Sequence, residues 1–111
     1  MEKIKLSNIK YDKNGLVPVI VQDINTNKIL MLAYSNKEAI NLTLEKKTAY
    51  FWSRSRNELW LKGATSGNYL TIINILIDCD NDSLVYKVDL GDNKACHTGE
   101  KSCFFREIEN E

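Results

Sequence analysis

The sequence predicts an α+β fold, mainly antiparallel β-sheet with one short helix. Three observations carry this. Runs rich in β-branched and apolar residues, such as Leu16 to Gln22 (LVPVIVQ), recur with turn residues between them. Only the stretch from Ser35 to about Lys46 joins a helix-start signal to helical spacing of apolar residues. The 111 residues include one Pro and five Gly, with 43% hydrophobic and 27% charged residues, which is an ordinary globular composition. That length suits a single domain, residues 1–111.

Leu16 to Gln22 reads as a buried strand, with Pro18 marking its N-terminal end or a sheet edge. Asn25-Thr26-Asn27-Lys28 reads as a turn and Ile29 to Tyr34 (ILMLAY) as a second strand, so the pair forms a hairpin. Ser35-Asn36-Lys37-Glu38 fits a capping box, with Ala39, Ile40, Thr43 and Leu44 on the inner face of the helix it starts. Thr48 to Ser53 (TAYFWS) is aromatic and β-prone. Arg54 to Glu58 and Leu59 to Gly63 read as basic loops, and Gly63 to Asn68 (GATSGN) as a further loop. Tyr69 to Ile77 and Ser83 to Leu90 read as strands with a turn at Asp82-Ser83. Gly91 to Lys101 is a polar loop, and Cys103 to Ile108 reads as a final strand.

Several classes of function are disfavoured. No apolar run approaches the roughly 20 residues of a membrane helix. Met1-Glu2-Lys3-Ile4-Lys5 lacks the apolar core of an export signal, so the expected compartment is the reducing cytoplasm. The three cysteines, Cys79, Cys96 and Cys103, cannot form a closed disulfide set within one chain. Lys plus Arg and Asp plus Glu are both 15, and a net charge of zero argues against a nucleic-acid polymer as partner.

Two clusters carry chemistry. In Asp78-Cys79-Asp80-Asn81-Asp82, a persisting strand would put the three carboxylates on one face and Cys79 on the other. Clustered carboxylates suit Mg²⁺, a hard cation; the plain alternative is a solvated turn. The EF-hand Gly and Glu are absent. In Ala95-Cys96-His97-Thr98-Gly99 and Ser102-Cys103, two thiols flank a loop that Gly99 can turn. With Cys79 they make three soft ligands, the number found in catalytic zinc sites that keep a position open; the alternative is three buried free thiols. His97 is then free to act as a general base. Three thiolates on Zn²⁺ leave a formal charge of −1, so nearby cations are needed, and His97, Lys94 and Lys101 lie close in sequence. If Cys79 ends a strand while Cys96 and Cys103 sit on a loop, one chain need not close the site, which hints at a dimer.

A third group is basic and aromatic. Arg54 and Arg56 share a face if extended, Lys62 adds a charge beside Gly63, and Trp52 and Trp60 offer stacking surfaces. A small anionic ligand suits local arginines in a neutral chain; the alternative is a charged loop over core tryptophans.

The strings WSRSR, LWLKGATSGN, DCDND and ACHTGEKSCFFR, in that order and spacing, resemble phosphoribosyl-AMP cyclohydrolase of histidine biosynthesis. VPVIVQD and ILMLAYSNKEA agree upstream, so the resemblance covers about residues 15 to 106. It implies an intertwined homodimer that needs Zn²⁺ and Mg²⁺ and hydrolyses the N1–C6 bond of the adenine ring in N1-(5-phosphoribosyl)-AMP. It implies Cys79, Cys96 and Cys103 as zinc ligands, with Cys79 from the partner subunit, and Asp78, Asp80 and Asp82 as magnesium ligands. Beside it, His97 is the candidate general base, and Trp52, Arg54, Arg56 and Lys62 are the candidates for the substrate nucleotide. Two positions depart from the pattern: Ala64 stands in place of a usual Glu, and Leu70 where Gln is common. Many relatives carry a fused pyrophosphohydrolase; eight residues follow Cys103, so that activity is expected on another chain. Two competing readings stand beside the hydrolase: a structural zinc module closed by His97, and a metal-independent nucleotide-binding protein.

Overall fold

Alternation along the apolar runs builds the sheet. In the computed structural model, which describes residues 1–110, a short 3-10 turn at Leu6–Asn8 precedes β1 (Val17–Asp23), β2 (Ile29–Ser35), α1 (Lys37–Lys46), β3 (Tyr50–Ser53), β4 (Glu58–Leu61), β5 (Thr71–Ile77) and β6 (Leu84–Asp89). β1 buries Val17, Val19 and Val21 on one face, and β6 buries Leu84, Tyr86 and Val88 on the same face. The strands form one curled sheet in the order β4-β3-β2-β1-β6-β5. Phe51 of β3 lies under it, with its ring centroid 5.5 Å from Tyr86 and 5.4 Å from Trp60. Thr48 bridges to Thr71, so the chain leading into β3 curls over the core to meet β5.

The sheet is mixed rather than purely antiparallel. β1 and β2 form the expected hairpin, but β6 lies parallel to β1 along its other edge. Val19 faces Leu84, Val21 faces Tyr86 and Asp23 faces Val88. This register brings the two apolar faces together. Pro18 is the second residue of β1, so it marks the strand's N-terminal end as expected, in a central strand rather than at a sheet edge. Its missing N–H costs the β6 ladder nothing, because that ladder begins one residue later at Val19.

Three local expectations change. The helix is capped by Asn36, whose side chain accepts from the Ala39 amide at 2.8 Å, and not by Ser35. Ser35 ends β2, is fully buried, and holds the Tyr86 hydroxyl at 3.1 Å. Glu58–Leu61 is a strand rather than a loop; Asn57, at φ 54°, turns the chain so that Tyr50 pairs with Leu61 and Ser53 with Glu58. Cys103 to Ile108 is not a strand. After the Cys103 amide donates to the Leu30 carbonyl at 2.7 Å, Phe104, Phe105 and Ile108 stand exposed. α1 packs Ala39, Ile40 and Thr43 inward as expected, with Leu44 half-buried beside them. No helix among the described residues is long and apolar enough to cross a membrane.

Candidate metal centre and substrate site

The acidic segment is a turn. β5 stops at Ile77, and Asn81 takes a positive φ of 67°. One Asp78 oxygen accepts from the Asp82 amide at 3.0 Å and the Ser83 amide at 3.2 Å. The turn, not strand alternation, brings Asp78, Asp80 and Asp82 together, with one carboxylate oxygen of each within 4.8 Å of the others. All three are exposed. Their protonation splits as crowded carboxylates should. Asp80 is pushed above the ordinary range, first by sharing a proton with Asp82 and then by Asp78. At Asp78 desolvation, the largest single influence, acts upward, but hydrogen bonds from the Asp82 amide and its neighbours together outweigh it and hold the carboxyl low. A hard divalent cation would relieve this crowding.

The thiols divide between two ends of the sheet. Cys79 is exposed in the acidic turn, where β5 ends and β6 begins. Cys96 and Cys103 lie at the other end, where β1 and β6 finish and β2 and β5 start. Ser102 donates to the Ile29 carbonyl at 2.7 Å, Cys103 is tied to Leu30, and the Cys96 loop is tied to the chain before β5. Those ties run from the Lys94 amide to the Asn68 side chain at 3.2 Å and from the Asn93 side chain to the Tyr69 carbonyl at 2.8 Å. The length of β5, seven residues, separates the two ends by about 20 Å. Within one chain Cys79 cannot share an ion with the other two.

Cys96 and Cys103 do meet each other. The Cys96 Sγ lies 3.0 Å from the Thr98 hydroxyl, and this bond, with the Thr98 amide, then Cys103 and Lys62, draws its pKa down. Partial shielding of its sulfur and the neighbouring Cys96 thiolate push Cys103 up. Thr98 was not singled out from the sequence; its place two residues after Cys96, before the turning Gly99, is the signal that marks it. His97 is exposed on the same turn, and Lys94 and Lys101 are exposed as well. The charge of Lys62, a largely buried residue, favours both thiolates, as the smallest influence on each.

Soft sulfur pairs of this kind suit Zn²⁺ or another thiophilic metal, and oxygen trios suit Mg²⁺. The donor sets fit both ions, provided the third thiol comes from a second chain.

The β3–β4 hairpin carries the basic group. The Arg54 guanidinium lies 3.8 Å over the ring of Tyr34, a partner that sequence reasoning missed. Tyr34 pairs with Trp52 across the β2–β3 ladder, so the stacked pair and the half-buried indole share one face. Arg56 is at the tip, 3.6 Å from Glu58, with both side chains exposed. Lys62 lies at the base, its amide donating to the Ala49 carbonyl, and is not gathered with the arginines. Trp60 packs on Phe51 and under Lys62. Ala64 is exposed beside Lys62, and Leu70 is fully buried in the core.

Known proteins resemble this chain over most of its length. The family model described as phosphoribosyl-AMP cyclohydrolase matches residues 31–105. A phosphoribosyl-AMP cyclohydrolase of Chloroherpeton thalassium is 54% identical over 109 residues, 97% of this chain and 77% of that one. One of Archaeoglobus fulgidus is 52% identical over 103 residues, 93% of this chain and 94% of that one. A histidine biosynthesis bifunctional protein of Prochlorococcus marinus is 49% identical over 109 residues, 98% of this chain and 49% of its own length. The matched segment spans α1, the acidic turn and the Cys96–Cys103 loop. The chain belongs to the phosphoribosyl-AMP cyclohydrolase family, hydrolases of histidine biosynthesis.

Proposed function

We propose that the protein opens the adenine ring of N1-(5-phosphoribosyl)-AMP by hydrolysis of the N1–C6 bond, in a homodimer whose active sites are each completed by both chains. The observation that supports this reading most directly is the split of the thiols. Cys96 and Cys103 form a pair that lacks a third ligand, and Cys79 sits about one strand length away beside the acidic trio. Bringing Cys79 of the partner subunit to the pair yields the three-thiol set and lays the magnesium carboxylates beside it.

An open sheet face supports the same assembly. The register aligns Leu32, Ile20, Val85 and Leu76 in one row across four strands. Leu32 is 49% exposed and Ile20 38%, so an apolar stripe faces outward. A second copy of the chain is the occupant argued for, because the metal site is incomplete without it.

Zinc, when bound, supplies the Lewis acidity that makes water a nucleophile near neutral pH. The chain's own residues do the rest. Arg54 and Arg56 hold the substrate phosphates through paired guanidinium hydrogen bonds. Trp52 stacks on the nucleotide. Asp78, Asp80 and Asp82 hold Mg²⁺, and His97 takes the proton from the attacking water. N1 substitution makes C6 electrophilic, so the base need only be placed. The setting is the cytoplasm.

The test is turnover of N1-(5-phosphoribosyl)-AMP, followed by ultraviolet absorbance, with both metals supplied. Ring opening is expected with wild type and is lost in Cys79→Ala and in Cys103→Ala. Co-expressing the two variants should restore about a quarter of wild-type activity, since mixed dimers carry one intact site. No recovery in the mixture would overturn the shared site. No turnover by zinc-loaded wild type would overturn the reaction and favour a structural zinc module.

A further inference from the structure

The two arginines of the β3–β4 hairpin are held differently. Arg56 is engaged: its Nε lies 3.6 Å from a Glu58 carboxylate oxygen and donates to the Ser53 hydroxyl at 3.4 Å. Among the described residues, Arg54 has no ion pair and no side-chain hydrogen bond. Its guanidinium carbon instead lies 3.8 Å from the centroid of the Tyr34 ring. Only a face-on approach fits that distance, since an N–H aimed at the ring would bring its nitrogen inside contact range. The guanidinium donors lie in its plane, so a ring against its face uses none of them. Tyr34 itself stands in β2, paired with Pro18 of β1 on one side and Trp52 of β3 on the other, and Trp52 pairs in turn with Leu59 of β4. Cross-strand partners share a face, so the tyrosine is flanked on both sides. Pro18, Tyr34, Trp52 and Leu59 are all half-buried, whereas Arg54 is exposed in the turn that follows β3. A braced strand carries the platform, and a turn carries the cation.

We infer that Tyr34 is a positioning residue for substrate phosphate, its ring presetting the Arg54 guanidinium with the donor edge free to take a phosphate of the nucleotide. The inference rests on the reading of Arg54 as a phosphate ligand and deepens it. A long side chain in a turn loses rotamer freedom when it closes on a ligand, and stacking on a braced ring removes much of that loss beforehand. The ring attracts the cation through its quadrupole without neutralising it, so the full charge stays available to the phosphate. Arg56 is not preset in this way, because a phosphate has to draw it from Glu58 and Ser53 first. The two arginines thus divide the work: Arg54 is the ready anchor, and Arg56 responds by releasing its carboxylate. The role asks for the aromatic face of Tyr34 and not for its hydroxyl.

The experiment compares full-length, metal-loaded wild type, Tyr34→Phe, Tyr34→Leu, Arg54→Ala and the double variant Tyr34→Leu/Arg54→Ala in turnover of N1-(5-phosphoribosyl)-AMP. Calorimetric Kd values for adenosine 5′-monophosphate and for adenosine add a readout that needs no turnover. Arg54→Ala should raise KM about 10- to 100-fold, the usual effect of losing a charge-assisted pair. Tyr34→Leu should raise KM about 3- to 10-fold with kcat within about twofold, the pattern of lost uniform binding. Tyr34→Phe keeps the ring face and should stay within about twofold of wild type. In the Arg54→Ala background Tyr34→Leu should add no more than about twofold, because the ring acts through the guanidinium. Tyr34→Leu should weaken the nucleotide and leave the nucleoside unchanged, since only the first carries a phosphate. Equal losses for the two ligands, or additive effects in the double variant, would overturn the inference in favour of packing or a contact to the base. A Tyr34→Leu protein that sediments as a monomer while wild type is a dimer would assign the ring to the subunit interface instead. If Arg54→Ala weakens the nucleotide and Tyr34→Leu does not, this inference alone falls. If Arg54→Ala changes neither KM nor nucleotide affinity, the phosphate reading of Arg54 falls with it.

Discussion

Gly63 joins the loop that follows Lys62 to the loop that carries Cys96, and substituting it is a direct way to ask whether that junction matters. Gly63 has φ +98°, and a Cβ built there would lie 2.5 Å from the Tyr69 amide nitrogen, 2.6 Å from the Asn68 carbonyl carbon and 2.7 Å from the Tyr69 Cα. All three are backbone atoms, so no side chain can swing away. Gly67 is the control, with φ +81° and open space where its Cβ would be. Both alanine variants place an L residue at positive φ, which costs about 1–2 kcal/mol. Gly63→Ala adds the overlap, about 1–3 kcal/mol of forced backbone movement. The sums are about 1–2 kcal/mol for Gly67→Ala and about 2–5 kcal/mol for Gly63→Ala. At about 4 °C per kcal/mol, Tm should fall by about 4–8 °C in the first and about 8–20 °C in the second. The displaced atoms belong to Asn68 and Tyr69, which hold Lys94 and Asn93 of the Cys96 loop. Gly63→Ala should therefore also lose zinc affinity, and Gly67→Ala should not. The assay is thermal unfolding at matched protein concentration, with zinc content measured on the same samples. Equal Tm losses, or a Gly63→Ala protein with full zinc content, would refute the reasoning.

Two further outcomes are expected. Asp23 is 4% exposed and accepts from the Thr26 amide, the Thr26 hydroxyl and the Leu90 amide. Burial alone would raise its pKa, but these bonds, Leu90 first, outweigh it and leave the carboxyl below the ordinary value. Asp23→Asn turns an NH₂ against those donors and should cost about 2–4 kcal/mol in urea denaturation at pH 7. Because the folded pKa is depressed, the advantage of Asp23 is full above about pH 4 and declines as pH falls through the folded pKa. A wild-type advantage that grew below pH 4 would contradict the assignment. Asp80→Asn removes the carboxyl most crowded by its neighbours. It should raise the Mg²⁺ concentration needed for half-maximal turnover while zinc content is unchanged, and a Mg²⁺ titration that matches wild type would remove the trio from the cation site.

Much of this molecule is legible in its chain because the determining physics is local. Apolar, β-branched runs mark β1 and β5, alternation marks β6, and helical spacing marks α1. Soft thiols beside His97 and hard carboxylates at Asp78, Asp80 and Asp82 are two donor sets of different chemistry, visible in the string alone. The family motifs are equally a property of the string. Where local signals compete, the string misleads. Ser35 and Asn36 are both good caps, and the choice fell to Asn36 because Ser35 is drawn into the sheet by Tyr86. β4 hides because Glu58-Leu59-Trp60-Leu61 is short, does not alternate and follows the charged Arg54 and Arg56, and the turn at Asn57 that pairs it with β3 shows only in the backbone. Cys103 to Ile108 has strand-like residues but meets the open edge of β2 through a single backbone bond, from the Cys103 amide to the Leu30 carbonyl.

What only the tertiary structure decided is distance between parts far apart in sequence. The parallel pairing of β1 with β6 is one case, since hydrogen bonding alone does not choose which edge a later hairpin takes. The acidic trio is another: a turn held by Asp78, not a continued strand, gathers the carboxylates. The last is the separation of Cys79 from Cys96 and Cys103. The sequence offers three thiols; a rigid strand sets Cys79 at the opposite end from Cys96 and Cys103, and that stiffness is why the proposed site takes a second chain.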